Sequence, residues 1–183
     1  MSLLRQAQKF IANQTARKNF NAFISLAEKS ALLRTIEDAE AKHGGGTKIL
    51  QPHPAIYRGS NGFESTDDAS GPINGKLIAV KDNICTSDLP TTAASSILKS
   101  FTSPYDATVI KKLRDAGSIV VGKTNLDEFG MGSHSTHSFF GPVQQSGDNG
   151  RALTAGGSSG GSAVAVATEQ SWAYVWNRSC HSY

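Results

Sequence analysis

Cysteine is scarce in this chain: of 183 residues, only Cys85 and Cys180 carry a thiol. Far apart and in unlike contexts, they form no disulfide framework and no metal-binding spacing, so a reducing compartment is expected. Long apolar runs are missing as well, which excludes a membrane-spanning helix. Charge of one sign is weak. A net charge of +3 gives no argument for a nucleic-acid partner. The most informative absence is local, because no carboxylate precedes Glu28 whereas Arg5, Lys9, Arg17 and Lys18 do. An acid-free, basic, helix-compatible start suits a mitochondrial targeting segment, or equally an ordinary basic surface helix.

What is present suits one soluble globular domain, since 38% of residues are hydrophobic and the length allows a real core. The pattern predicts a helix over Asn21–Lys42, with Ala22, Phe23, Leu26, Leu32, Leu33 and Ile36 apolar. Gly44–Gly46 should stop it. Residues 1–43 therefore read as a helical segment, and 44–70, rich in Gly, Pro, Ser and Asp, as a loop or insertion. From 71 to 170 the texture is that of an α/β core. Pro72 and Gly75 mark a turn, Lys76–Val80 fits a buried strand, and Ser118–Val121 fits a second one ending at Gly122. Between them Asp106 is a candidate N-cap for a helix with Val109, Ile110, Leu113 and Ala116 on one face, and Gly117 as its stop. Strand, crossover helix, strand implies a parallel sheet. Sites in such sheets lie beyond the carboxyl ends of strands, where Lys81 stands.

Asn125–Met131 looks helical, and Gly132–Gly150 is a polar loop. His134 and His137 could ligate a metal, but without a third ligand nearby they read as solvated loop histidines. The densest pattern is Ala155–Val166, with Gly156, Gly157, Gly160 and Gly161 among Ser158, Ser159 and Ser162. Its apolar continuation argues against a flexible linker. It also lacks the lysine of a phosphate-binding loop and the spacing of a dinucleotide fold. A serine-based catalytic loop remains, attached to Ala163–Thr168 as a packed helix or an inner strand.

Four stretches, Gly75–Asn83, Ser103–Leu113, Gly122–Ser133 and Gly156–Ala165, resemble in order and spacing the amidase signature family, with Asn21-Ala22-Phe23 similar to the end of its first helix. The resemblance implies a mixed or parallel sheet covered by helices. It implies a Ser–Ser–Lys arrangement, in which Lys81 matches the base and Ser158 a relay serine held on a cis peptide. Ser159 is the second choice, and Met131, Gly132 and Ser133 are possible substrate-loop or supporting residues. The logic is physical: a serine needs a base, and a lysine can be one when burial lowers its pKa.

Ile84-Cys85-Thr86, Asp127-Glu128-Phe129 and Phe140–Val143 most resemble the A-subunit branch of glutamyl-tRNA(Gln) amidotransferases. That branch implies glutamine as substrate, with other amidotransferase subunits and Glu-tRNA(Gln) as partners. No cofactor is implied on this chain, because ATP and magnesium are used by a partner subunit. The location implied is mitochondrial, or cytoplasmic otherwise. A stand-alone amidase and a non-catalytic, partner-binding fragment are the alternatives.

Residues 171–183 depart from the family. The Asp-Thr-Gly-Gly-Ser segment that would bring the nucleophile and oxyanion amides is absent, and Ser182 matches it by spacing only. The tail holds both tryptophans and Cys180 but no glycine. It is expected to be either a frame or splice artefact or the end of a genuine short isoform, in a truncated chain inactive by itself.

Overall fold

The computed structural model describes residues 2–42, 73–146 and 152–177. The 44–70 segment, the Gly44–Gly46 stop, Pro72 and the tail from Arg178, with Cys180 and Ser182, lie outside the described residues.

The chain opens with helix α1, Leu3–Ala16, whose N-cap Ser2 accepts the Arg5 N–H. Leu3, Ala7, Phe10 and Ile11 recur on one side and are buried in the main core. The acid-free stretch is therefore packed into the fold. Its polar side chains reach the far end of the described chain: Asn13 donates to the Glu169 carbonyl, Gln14 to the Gln170 carbonyl, and Lys9 pairs with Glu169.

The single helix predicted over Asn21–Lys42 is two elements. Phe23–Leu26 is strand β1, antiparallel to a later strand, and only Lys29–Lys42 is helix α2. A short apolar run carries no decisive period, and here a tertiary partner decides. Gly122 supplies the room: a Cβ there would lie 2.5 Å from the Ser25 carbonyl oxygen. Helix α2 begins where the Glu28 carboxylate accepts the Ser30 and Ala31 N–H groups. These bonds and the Ser30 hydroxyl hold the Glu28 carboxyl down at about 2.

Strand β2 is Leu77–Lys81, helix α3 is Thr108–Asp115 and strand β3 is Ile119–Thr124. β2 and β3 pair in parallel, as strand–helix–strand spacing predicts. Both strands run further than expected: β2 includes Lys81, and β3 continues through Gly122 to Thr124. Every residue of either strand is buried. Asp106 does not cap α3; it accepts from Ser87 and pairs with Arg114. Gly117, at φ +83°, ends the helix as expected.

Asn125–Met131 is mostly irregular rather than helical, with one 3₁₀ turn at Glu128–Gly130. Strands β4, Gln144–Ser146, and β5, Ala152–Thr154, form a separate antiparallel pair. Helix α4 is Gly160–Ala167, which resolves the alternatives left open for Ala163–Thr168. Strand β6, Ala173–Val175, pairs in parallel with β2, so the start of the compositionally divergent tail belongs to the main sheet. The sheet order is β1-β3-β2-β6, mixed, with α4 packed on β2, β3 and β6. Two central parallel strands with packed helices make this an α/β fold.

Candidate active site

Lys81 is the last residue of β2 and is fully buried. Its reach along the sheet places the ammonium nitrogen under the glycine–serine loop, where Nζ donates to Ser158 Oγ at 2.9 Å. The Asn177 carbonyl lies 3.4 Å from the same nitrogen. Burial lowers the Lys81 pKa from its ordinary 10.5 to about 8, with Asp127 opposing the shift. Near neutral pH about one such amine in ten is uncharged, against fewer than about one in a thousand for an exposed lysine. Lys81 does not pair with its chain neighbour Asp82. Asp82 faces Lys123 at 3.3 Å, with both side chains fully buried.

The Ser158 loop is held by small residues. The Gly157–Ser158 peptide is cis. Gly161, in the first turn of α4, donates its N–H to the Asn125 carbonyl, and a Cβ on it would lie 2.6 Å from the Ala22 carbonyl oxygen. In the same turn Ser162 Oγ shares a hydrogen bond with Thr124 Oγ1 at 2.6 Å, tying α4 to the end of β3. Ser158 is buried, and its carbonyl accepts the Asp127 N–H at 3.2 Å. Ser159 is the N-cap of α4 and makes no side-chain cap bond; the hydroxyl that meets the lysine is that of Ser158.

Met131, Gly132 and Ser133 lie exposed on the loop after the 3₁₀ turn. Ser133 Oγ bonds its neighbour His134. His137 and His134 are exposed, and His137 Nδ1 is 3.7 Å from Asp127. Among the described residues no group of three or more His, Cys, Asp or Glu could hold a metal.

Several supporting residues carry no individual signature in the sequence. Asn125, fully buried, donates to the Asn21 and Gly141 carbonyls and accepts from Ser138, joining three loops. Gly130 lies beside the pair, with a would-be Cβ 3.9 Å from both Lys81 Nζ and Ser158 Oγ. Lys123 donates to Thr91, and Asp82 accepts from the Thr92 N–H and hydroxyl, so this ion pair fixes the adjoining loop. Burial pushes Asp82 up and Lys123 down, each countered by its partner.

A lysine and a serine from 77 positions apart meet in one buried contact, and the wider match bears on the family. The profile of the Amidase family covers residues 14–173. The chain belongs to the amidase family. Among curated amidases it is 48% identical over 94% of its length to the A subunit of the mitochondrial glutamyl-tRNA(Gln) amidotransferase of Emericella nidulans. To the protein of the same name in Coccidioides posadasii it is 47% identical over 94%. Of solved structures, the glutamyl-tRNA(Gln) amidotransferase A subunit from Thermotoga maritima superposes with a TM-score of 0.64 at 33% identity, covering 92% of this chain and 29% of that one. The peptide amidase of Stenotrophomonas maltophilia gives 0.69 at 27% identity, covering 93% and 32%. The chain spans about 31% of the length of the two fungal relatives.

Proposed function

We propose that this amidase chain carries the base and relay of a glutamine-hydrolysing site in the A subunit of a mitochondrial glutamyl-tRNA(Gln) amidotransferase. The observation that carries the reading is the 2.9 Å contact between the buried Lys81 amine and Ser158. Uncharged Lys81 accepts the Ser158 proton while Ser158 takes one from a nucleophilic serine, which then attacks the carboxamide carbon of glutamine. The proton returns by the same route to the departing nitrogen, releasing ammonia, and water hydrolyses the resulting ester to glutamate. Ser182, which matches the family's nucleophile segment by spacing only, lies outside the described residues. The ammonia passes to partner subunits, which use ATP and magnesium to convert Glu-tRNA(Gln) to Gln-tRNA(Gln). The relatives' names and the branch-specific motifs favour this over a stand-alone amidase.

The test is to express these residues within a subunit of the full length of the relatives, isolate the complex it forms, and measure ammonia release from glutamine. Glutamine-dependent ammonia release, lost in Lys81→Ala, is the expected result. Residual activity within about tenfold, roughly 1.4 kcal/mol of barrier, would remove Lys81 from the role of base. Hydrolysis of other amides by an unaccompanied chain would establish the stand-alone alternative instead.

A further inference from the structure

Asp127 was marked in the sequence only as part of a branch-specific run, yet its buried carboxylate lies where three parts of the site converge. Its side chain is fully buried, three residues past the end of β3. Oδ2 accepts the Ser135 N–H at 2.9 Å and Oδ1 the His137 N–H at 3.1 Å, pinning the loop that follows Met131–Ser133. Its own N–H donates to the carbonyl of Ser158, whose hydroxyl meets Lys81. The backbone closes tightly around this carboxylate. A Cβ on Gly132 would lie 2.6 Å from Oδ2, and one on Gly157 would collide with the same oxygen. Two loops have glycine where they pass over one buried acid.

We propose that Asp127 is a positioning residue of the amidase site, whose buried carboxylate holds the 132–137 loop and the Gly157–Ser158 segment in register beside Lys81. Its charge has a second consequence. Burial lowers the Lys81 pKa, and the negative charge of Asp127 limits the fall. Among the described residues the Lys81 amine donates to the Ser158 hydroxyl and the Asn177 carbonyl. Among the described residues, Lys123 pairs with Asp82, while Glu128, His134 and His137 are exposed, with His137 Nδ1 3.7 Å from Asp127. Asp127 thus keeps the amine basic enough to take a proton, and fixes the serine that delivers it. The inference rests on Lys81 being the base of the proposed reaction.

The experiment follows the Lys81 amine by NMR in the full chain with isotope-labelled lysine, from neutral to alkaline pH, with Lys81→Met giving the assignment. In Asp127→Asn the titration of Lys81 is expected to move down by about half a unit or more, since desolvation is then less opposed. The Ser135 and His137 amides should exchange with solvent faster. Gly132→Ala, which forces the carboxylate aside, should move both readouts in the same direction. It decides the question if Asp127→Asn fails to fold. In the complex the acid limb of kcat should shift to lower pH by the same amount. A folded variant that only melts earlier, with the Lys81 titration and both amides unchanged, overturns the proposal. The titration needs no substrate, so a wild-type complex that released no ammonia would count against glutamine hydrolysis while leaving Asp127 to be judged by NMR.

Discussion

At the scale of single residues the site depends on charges kept out of water. Lys81 has a folded pKa of about 8 against an ordinary 10.5. The proposed reaction needs the neutral amine, so kcat is expected to rise with pH through about 8 and then level off, a profile read from ammonia release in the isolated complex. Stability follows the same proton. Between the two values the unfolded chain binds it and the folded chain does not, so stability should rise with pH across that window. Below about 8 both states are protonated and the dependence vanishes. Lys81→Met should remove this slope, which denaturant melts at several pH values would reveal; an unchanged slope would mean Lys81 titrates normally. Ser158→Ala should cost most of the activity and Ser159→Ala much less, because only the Ser158 hydroxyl meets the lysine. The reverse order would transfer the relay to Ser159. The Asp82–Lys123 pair makes a separate point. Lys123→Met leaves a buried carboxylate unpaired and should destabilise the fold by about 3–5 kcal/mol.

At the scale of elements, glycine positions decide which segments can meet. Gly122 lets β1 lie against β3, and Gly161 lets the first turn of α4 rest on the carbonyls of Asn125 and Ala22. Gly161→Val should push α4 away from β3, break the Thr124–Ser162 hydrogen bond and displace Ser158. Melting temperature and activity should fall together. A variant that melts lower but hydrolyses glutamine at the wild-type rate would show that α4 does not position the serine. The strand β1 lesson is of the same kind. Ala22–Leu26 could serve a helix face or a strand, and the choice lies in Gly122, about a hundred positions away in sequence.

At the scale of the whole molecule, the first helix and the last strand are joined through the core. Phe10 of α1 is buried in the same cluster as Ala173 and Val175 of β6. Phe10→Ala should cost about 3–5 kcal/mol, measurable by thermal melting, and would weaken the sheet as well as the helix. The same acid-free stretch bears on location. Fused to a fluorescent protein, residues 1–27 should direct it to mitochondria if they act as a targeting signal; diffuse cytosolic fluorescence would leave them a structural role only.

The sequence by itself determined the family, the parallel pairing of β2 and β3, and the candidacy of Lys81 and Ser158. The strand pairing follows from apolar runs spaced by a helix, whereas the family and the candidacy of Lys81 and Ser158 rest on the resemblance of four motif stretches to the amidase signature. Tertiary structure alone decided what each residue faces. The Lys81–Ser158 contact, the Asp82–Lys123 pair, the burial of α1 and the placement of Trp172 and Ala173–Val175 at the sheet all join positions distant along the chain. Asp127 shows why. An aspartate on a loop is ordinarily solvated, and nothing in its neighbours along the chain says otherwise. It becomes a buried acceptor only because two glycine-bearing loops from different parts of the chain close over it.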